Sequence, residues 1–142
     1  MKQPFAGILI DPFAREVTTV ELPDDTDTEA MAKLVDGVYF DGITLRKPIE
    51  GDPGAVMYLD EDRWGREPQA FFSFDMRPEE IYAGKAVIAA IDVDGEITYR
   101  ISSPEEIAKR VVWRDVRYVG VEDQVEDNLV IKVRKFEPQE PK

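Results

Sequence analysis

Apolar and polar residues alternate along much of the chain, in short runs separated by residues typical of turns. Residues 5–10 are almost entirely apolar, which predicts a buried strand, whereas residues 16–22 alternate at the period of a half-exposed strand. Asp11 and Pro12 are typical turn residues between these runs. The pattern therefore predicts a hairpin that turns across residues 11–15.

Later runs of the same kind predict more strands. They cover residues 38–45, 55–59, 69–74, 85–91, 97–101, 111–121 and 129–136. Residues 85–91 are strongly apolar, which is typical of a central strand. Residues 92–96 contain an Asp-Gly pair that favours a tight hairpin turn over half of an EF-hand loop. A calcium loop needs a bidentate Glu six residues after its glycine, and that position is Ile101.

Three segments predict short helices. Thr26 and Glu29 have the spacing of a capping box, and the helix after them is expected to end near Gly37. Ser103 followed by Pro104 predicts the start of a second helix, which runs to about residue 110. Residues 76–82 are expected to form one further helical turn, with Pro78 at the N1 position.

Together these elements predict an α+β fold, with one mainly antiparallel, twisted sheet and two or three short helices packed on one face. Most strands follow one another without an intervening helix, which argues against a parallel doubly wound sheet. Residues 1–136 are expected to form a single domain. Residues 137–142 contain two prolines and are expected to form a flexible tail.

The absence of two residue types limits the reactions and the metal sites that this chain can support. The chain has no cysteine and no histidine, which excludes disulfides, thiolate metal sites and the common histidine bases. Only oxygen-ligated cations such as Mg²⁺ or Ca²⁺ remain conceivable, and no cofactor is predicted. The first apolar run is too short for a membrane span or a signal sequence, so we expect a cytoplasmic protein without membrane contact.

Negative charge is concentrated in one part of the chain. The formal net charge is −12, and the stretch from Asp11 to Asp62 holds 14 acidic and 4 basic residues, a net charge of −10. This stretch includes the adjacent pair Asp24 and Asp25, which we assign to a candidate binding surface. Such a surface repels nucleic acid and attracts proteins with a basic surface.

A charged loop between two predicted strands holds further candidates. Asp60, Glu61 and Asp62 could gather a divalent cation, although adjacent carboxylates on a loop tip more often face water. Arg63 and Trp64 are residue types enriched at interface hot spots. The alternative, which we favour, is that Trp64 folds back as a lid on the sheet.

Two clusters downstream allow a binding and a structural interpretation. Arg110, Arg114 and Arg117 could bind an anion such as a nucleotide phosphate, but pairing with nearby acids is the more usual role. The phenylalanines at 71, 72 and 74 are expected to form a sheet core, with 72 and 74 on one face and 71 on the other. Stacking of these rings on nucleic-acid bases would need neighbouring positive charge, and this chain is acidic, so the sheet core is the favoured interpretation.

Three short segments carry a resemblance to a known group of proteins. They are ILIDPF at residues 8–13, VMYLDE at 56–61 and AGKAVI at 83–88. In that order they resemble a family of small uncharacterised phage and plasmid proteins, over roughly residues 5–100. The resemblance implies the product of a mobile element in a bacterial cytoplasm, where such accessory proteins often counter host defences. It implies no catalytic residues.

These observations lead to three functional hypotheses. The first is a non-enzymatic interaction protein whose acidic face binds a basic protein. In its sharper form it is a nucleic-acid mimic that inhibits a host defence. The second is a protein that binds a small ligand such as a nucleotide through the arginines after residue 109. The third is a carboxylate-based, metal-assisted enzyme, which the absence of histidine and cysteine makes the least favoured.

Overall fold

The computed structural model describes residues 5–23, 27–98 and 103–139, and within them the chain forms eleven strands and two α-helices. In chain order the elements are β1 (Ala6–Asp11), β2 (Glu16–Glu21), α1 (Thr28–Leu34), β3 (Phe40–Arg46), β4 (Gly54–Asp60), β5 (Phe71–Phe74), β6 (Arg77–Ala83), β7 (Ala86–Ile91), β8 (Ile97–Thr98), α2 (Pro104–Arg110), β9 (Val111–Arg114), β10 (Val116–Glu126) and β11 (Leu129–Pro138). No helix in these ranges is long and apolar enough to cross a membrane.

The largest sheet has the strand order β2-β1-β7-β4-β3, and β8 pairs with the end of β7. All of its neighbouring strands are antiparallel. The prediction of a central strand at residues 85–91 is confirmed, since β7 lies between β1 and β4 and five of its six residues are buried. A strand covered on both faces tolerates no alternation of polar residues, which explains the unbroken sequence AVIAAI.

This sheet has two apolar faces because side chains alternate along each strand. One face, which we call the sandwich face, carries Ile8, Ile10, Met57, Leu59 and Ile88. The opposite face, which we call the α1 face, carries Val56, Val87 and Ala89. Each face must be covered by another layer to keep these side chains from water.

Helix α1 covers the α1 face. Met31 and Val35 pack there together with Leu22, which follows β2. The residue that caps the helix is Asp27, whose side chain accepts a hydrogen bond from the amide of Ala30 at 3.0 Å. The predicted helix is confirmed, whereas its predicted cap, Thr26, lies outside the described residues.

The sandwich face is covered by a second sheet, of order β6-β5-β9, and by helix α2. Phe72 and Tyr82 from this sheet join the buried cluster, and Ile107 of α2 packs against it. The mainly antiparallel α+β prediction is therefore confirmed, but two finer expectations are wrong. The strands form three sheets rather than one, and the helices lie on opposite faces because both faces are apolar.

The predicted helical turn at residues 76–82 is also wrong, because this segment forms the edge strand β6. Pairing with β5 places Tyr82 beside Phe72 and buries it, a gain that outweighs the weak local signal of a proline followed by acids. Pro78 is tolerated there because an edge strand need not donate every backbone N–H.

Strands β10 and β11 form a separate two-stranded sheet. Their roots contact the body of the protein through Tyr118 and Phe136, whereas residues 121–132 are exposed. The single strand predicted at residues 111–121 is wrong, because the chain divides there into β9 and β10, which belong to different sheets. The strand predicted at residues 129–136 is confirmed, but β11 continues through Pro138, with Glu137 paired to Arg117. The first two residues of the expected tail, 137 and 138, belong to β11 instead, because they pair with β10.

Candidate functional site

A cavity of about 410 Å³ lies between the sandwich face and its cover. Its floor comes from four strands of the large sheet and its walls from β6, the turn before it and α2. The cavity exists because the three-stranded sheet and the seven-residue helix α2 are smaller than the face that they cover. Pockets of this volume are typical of small-molecule sites.

The floor of the cavity is apolar. Ile8, Ile88 and Ala90 are buried in the sheet, and Ile43 and Leu45 reach the cavity from β3. They line one surface because residues two apart in a strand share a face. A ligand that binds here must therefore offer apolar surface to this floor.

The mouth of the cavity carries charges of both signs. The basic side chains are those of Arg46, Arg77 and Arg110, and the acidic ones are those of Asp75 and Glu80. Basic side chains therefore outnumber acidic ones here, although the net charge of the protein is −12. Arg77 lies 3.7 Å from Glu80 and Arg110 lies 3.8 Å from Asp75. Such long, exposed ion pairs contribute little to stability and can exchange with a ligand.

Arg46 differs from the other two arginines at the mouth. Its guanidinium donates a hydrogen bond to the backbone carbonyl of Pro53 at 2.7 Å, so a neutral group holds it in place. Its charge is thus available to an incoming anion.

Tyr82 forms part of the wall and points its hydroxyl at the mouth. That hydroxyl donates a hydrogen bond to Glu80 at 2.8 Å. Burial, and then the bond to the Glu80 carboxylate, raise the pKa of Tyr82 to about 12. The phenol therefore stays neutral at physiological pH and offers a hydrogen-bonding group beside the arginines.

The structure separates the three arginines that the sequence grouped as an anion site. Arg110 lines the cavity, whereas Arg114 donates to the Pro78 carbonyl at 2.9 Å and Arg117 pairs with Glu137. Pairing with a nearby acid, the more usual role, thus describes Arg117 and the long pair of Arg110 with Asp75, whereas Arg114 bonds to neutral groups. Arg46 and Arg77 were missed because strands far apart in sequence bring them to the mouth.

The acidic triplet that begins at the last residue of β4 does not consist of three solvated carboxylates. Asp60 is only 4% exposed, and its carboxylate accepts hydrogen bonds from Arg66 at 2.7 Å and from the amide of Asp62 at 3.0 Å. The bond to Asp60 raises the pKa of Arg66. The expectation that the whole triplet faces water is wrong for Asp60, although Glu61 and Asp62 are exposed. Within the described ranges no cluster of acidic side chains could hold a metal ion.

Trp64 folds back onto the protein, as the favoured interpretation predicted. Its ring contacts Phe71, Tyr118 and Phe136, and the Arg134 guanidinium lies 4.3 Å from its centroid. Trp64 therefore holds the β10–β11 sheet against the body instead of offering a free hot spot.

Neighbouring residues support the same assignment. Arg63 is 14% exposed and pairs with Asp41 at 3.0 Å. Phe72 and Phe74 contact each other in the sandwich, while Phe71 meets Trp64, which confirms the predicted division of the three rings.

The acidic stretch is divided by the fold. Its carboxylates on β2 and those on β3 lie at opposite edges of the large sheet, because that sheet has the order β2-β1-β7-β4-β3. Asp36 is paired with Lys85 at 2.9 Å, a bond that raises the pKa of Lys85. Asp24 and Asp25 lie outside the described residues. This placement favours separate acidic surfaces over one continuous line.

The predicted turn at residues 92–96 is confirmed. The Asp92 carboxylate accepts hydrogen bonds from the amides of Asp94 and Glu96, which closes the hairpin between β7 and β8. The side chain therefore serves the turn, as Asx turns do.

Comparison of the chain with protein-family models, characterised proteins and solved structures gives no significant match. The resemblance to small phage and plasmid proteins accordingly stays a prediction, and the candidate site depends on the geometry of this chain alone.

Proposed function

We propose that this protein binds a small amphipathic anion, with the apolar part of the ligand in the cavity and its charged group at the mouth. The observation that carries the proposal is the combination of an apolar floor with three arginines around one opening. It corresponds to the second sequence hypothesis, because Arg110 belongs to the predicted anion site.

The ligand class follows from the two parts of the cavity. A buried aliphatic floor favours hydrocarbon by about 0.8 kcal/mol for each CH₂ group removed from water. A carboxylate or phosphate at the mouth can bond to Arg46 and exchange with the long ion pairs of Arg77 and Arg110. A medium-chain carboxylate such as decanoate combines both features.

Thermal-shift titration of the full chain with decanoate, decanol and decylamine tests the proposal. We expect saturable stabilisation in the order decanoate, decanol, decylamine, because only the first offers both an apolar chain and a negative charge. Absence of saturable stabilisation by decanoate would contradict the proposal.

Arginine variants locate the binding site. Arg46→Gln and Arg110→Gln should each weaken decanoate binding about fivefold, which corresponds to ~1 kcal/mol, and leave decanol unaffected. The matched control is Arg117→Gln, which removes the same charge at the distant pair with Glu137. Equal losses in the control and the cavity variants would show that net charge, and not the cavity, controls binding.

A second proposal retains the first sequence hypothesis, an acidic interaction protein that binds a basic protein. It is supported by the net charge of −10 between Asp11 and Asp62 and by exposed carboxylates such as Glu16, Glu21 and Glu61. Neutralising Glu16 and Glu21 as amides should then reduce binding to a basic DNA-binding domain, and rising salt should do the same. Salt-independent binding would contradict this proposal.

A further inference from the structure

The distal part of the β10–β11 sheet, which we call the arm (residues 119–135), extends from the body with little cover. Val125 is 75% exposed and Leu129 is 66% exposed, and their neighbours Val121, Val130 and Ile131 are exposed as well. Two-stranded sheets of this kind are at best marginally stable in water without packing. The arm therefore has the features of a contact surface.

We propose that two copies of the chain associate by pairing the β11 edges of their arms antiparallel, centred on Ile131. In the described part of the chain β11 pairs only with β10, so its other edge offers backbone donors and acceptors to a further strand. Edge strands recruit partners in this way unless charge or shape prevents it. The result is a four-stranded sheet with twofold symmetry.

Side-chain chemistry fits this register. Leu129, Ile131 and Val133 share one face of β11, so centring on Ile131 places Leu129 opposite Val133 of the second copy and Ile131 opposite itself. Apolar side chains then meet across the new pair of strands, and cross-strand contacts of this kind stabilise a sheet.

Charge along the arm is self-complementary in the same register. The tip carries Glu126 and Asp127, and the root of β11 carries Arg134 and Lys135. Antiparallel pairing brings each acidic tip, with Asp127 in its turn, near the basic root of the other copy. Within its own arm Lys135 already pairs with Glu122 at 2.7 Å, and the Arg134 guanidinium lies over Trp64. Lys132, near the centre, is already neutralised by Asp123 at 2.7 Å.

The other edge of the arm fits a second copy less well. Antiparallel pairing of two β10 strands centred on Gln124 would place Glu122 opposite Glu126, and like charges directly opposite are destabilising. Pairing along β11 also places the two bodies at opposite ends of the new sheet, which limits repulsion between chains of net charge −12 each.

Sedimentation velocity of the full chain tests association. We expect a reversible shift from 16.2 kDa towards twice that mass between about 10 μM and 1 mM, since a short edge contact buries less area than a stable dimer interface. Ile131→Lys should abolish the shift, whereas Val125→Lys, an exposed substitution on the other strand, should leave it unchanged. A monomer at every concentration would overturn the proposal.

Single cysteines test the register, because the natural chain has none. Ile131→Cys should form a disulfide-linked dimer on oxidation, since residues directly opposite in a sheet lie within reach of a disulfide. Leu129→Cys would place the two sulfurs about 14 Å apart, four residues along the strands, and should not cross-link. Faster cross-linking of Leu129→Cys or Val125→Cys than of Ile131→Cys would overturn the proposed pairing.

Discussion

Strand β7 and the distal half of β11 are both aliphatic runs, AVIAAI and LVIKV, yet they have opposite environments. Five residues of β7 are buried, whereas Leu129 to Lys132 of β11 are all exposed. β7 has a hydrogen-bonded neighbour on each side and a covering layer on each face, while β11 has one neighbour, β10.

This difference shows that an aliphatic run predicts a strand but not its burial. Burial depends on how many neighbours and layers the chain assembles around the run. In the body, apolar side chains stabilise the fold. On the arm, similar side chains remain available for contact with another molecule.

The largest effect that we expect comes from matched leucine truncations. Leu59→Ala, in the body, should lower the free energy of unfolding by about 2–5 kcal/mol, because it removes a fully buried side chain. Leu129→Ala, on the arm, should change it by less than about 0.5 kcal/mol. Urea denaturation of both variants measures the contrast, and equal losses would show that the arm is packed like the body.

Trp64 connects the two regions, so its removal should act on the arm. Trp64→Ala should cost about 2 kcal/mol and raise amide exchange along β10 and β11, because Arg134 and the rings at the arm's root lose their contact. Hydrogen exchange measures this, and Trp64→Phe should restore part of the protection. Unchanged exchange in Trp64→Ala would mean that the arm does not depend on this contact.

A smaller difference between the body and the arm is expected for their ion pairs. Arg66→Ala should clearly lower the melting temperature, because it leaves the Asp60 carboxylate buried with fewer hydrogen bonds. Lys132→Ala removes an exposed pair on the arm and should cost less than about 0.5 kcal/mol. Thermal denaturation compares the two, and similar losses would show that burial of Asp60 does not strengthen its pair.

Near neutral pH the smallest expected effect is that of Tyr82 in the wall of the cavity, because its late ionisation matters only in alkali. Because burial raises its pKa to about 12 in the folded protein, folding retains its proton. Its stabilising contribution is complete below about pH 10, the pKa of an unperturbed tyrosine, and is lost as the pH rises towards 12. Burial also raises the pKa of Tyr58, so ultraviolet titration should show more than one late phenol. Tyr82→Phe should remove the latest of them, and an unchanged titration would contradict this assignment.

Local signals were sufficient for several elements. The capped start of α2 at Ser103, the hairpin of β1 and β2, and the turn at Asp92 depend on residues adjacent in sequence. Residues 76–82 show the limit of such signals. Their local sequence predicts a helical turn, but pairing with β5 makes them the strand β6. Of the three arginines at the mouth of the cavity, the sequence predicted only Arg110. Arg46 and Arg77 lie on strands of different sheets, and only the fold brings them together.

The sequence by itself determined most of the strands, both α-helices, the mainly antiparallel class and the absence of histidine and cysteine chemistry. These follow from side-chain period, capping residues and composition, which act over a few neighbouring positions. Only the tertiary structure decided that Asp60 is buried, that the acidic stretch is divided between two sheet edges, and that three arginines meet at one apolar cavity. Those outcomes depend on which strands pair and which layers cover them, and such contacts join residues that are far apart along the chain.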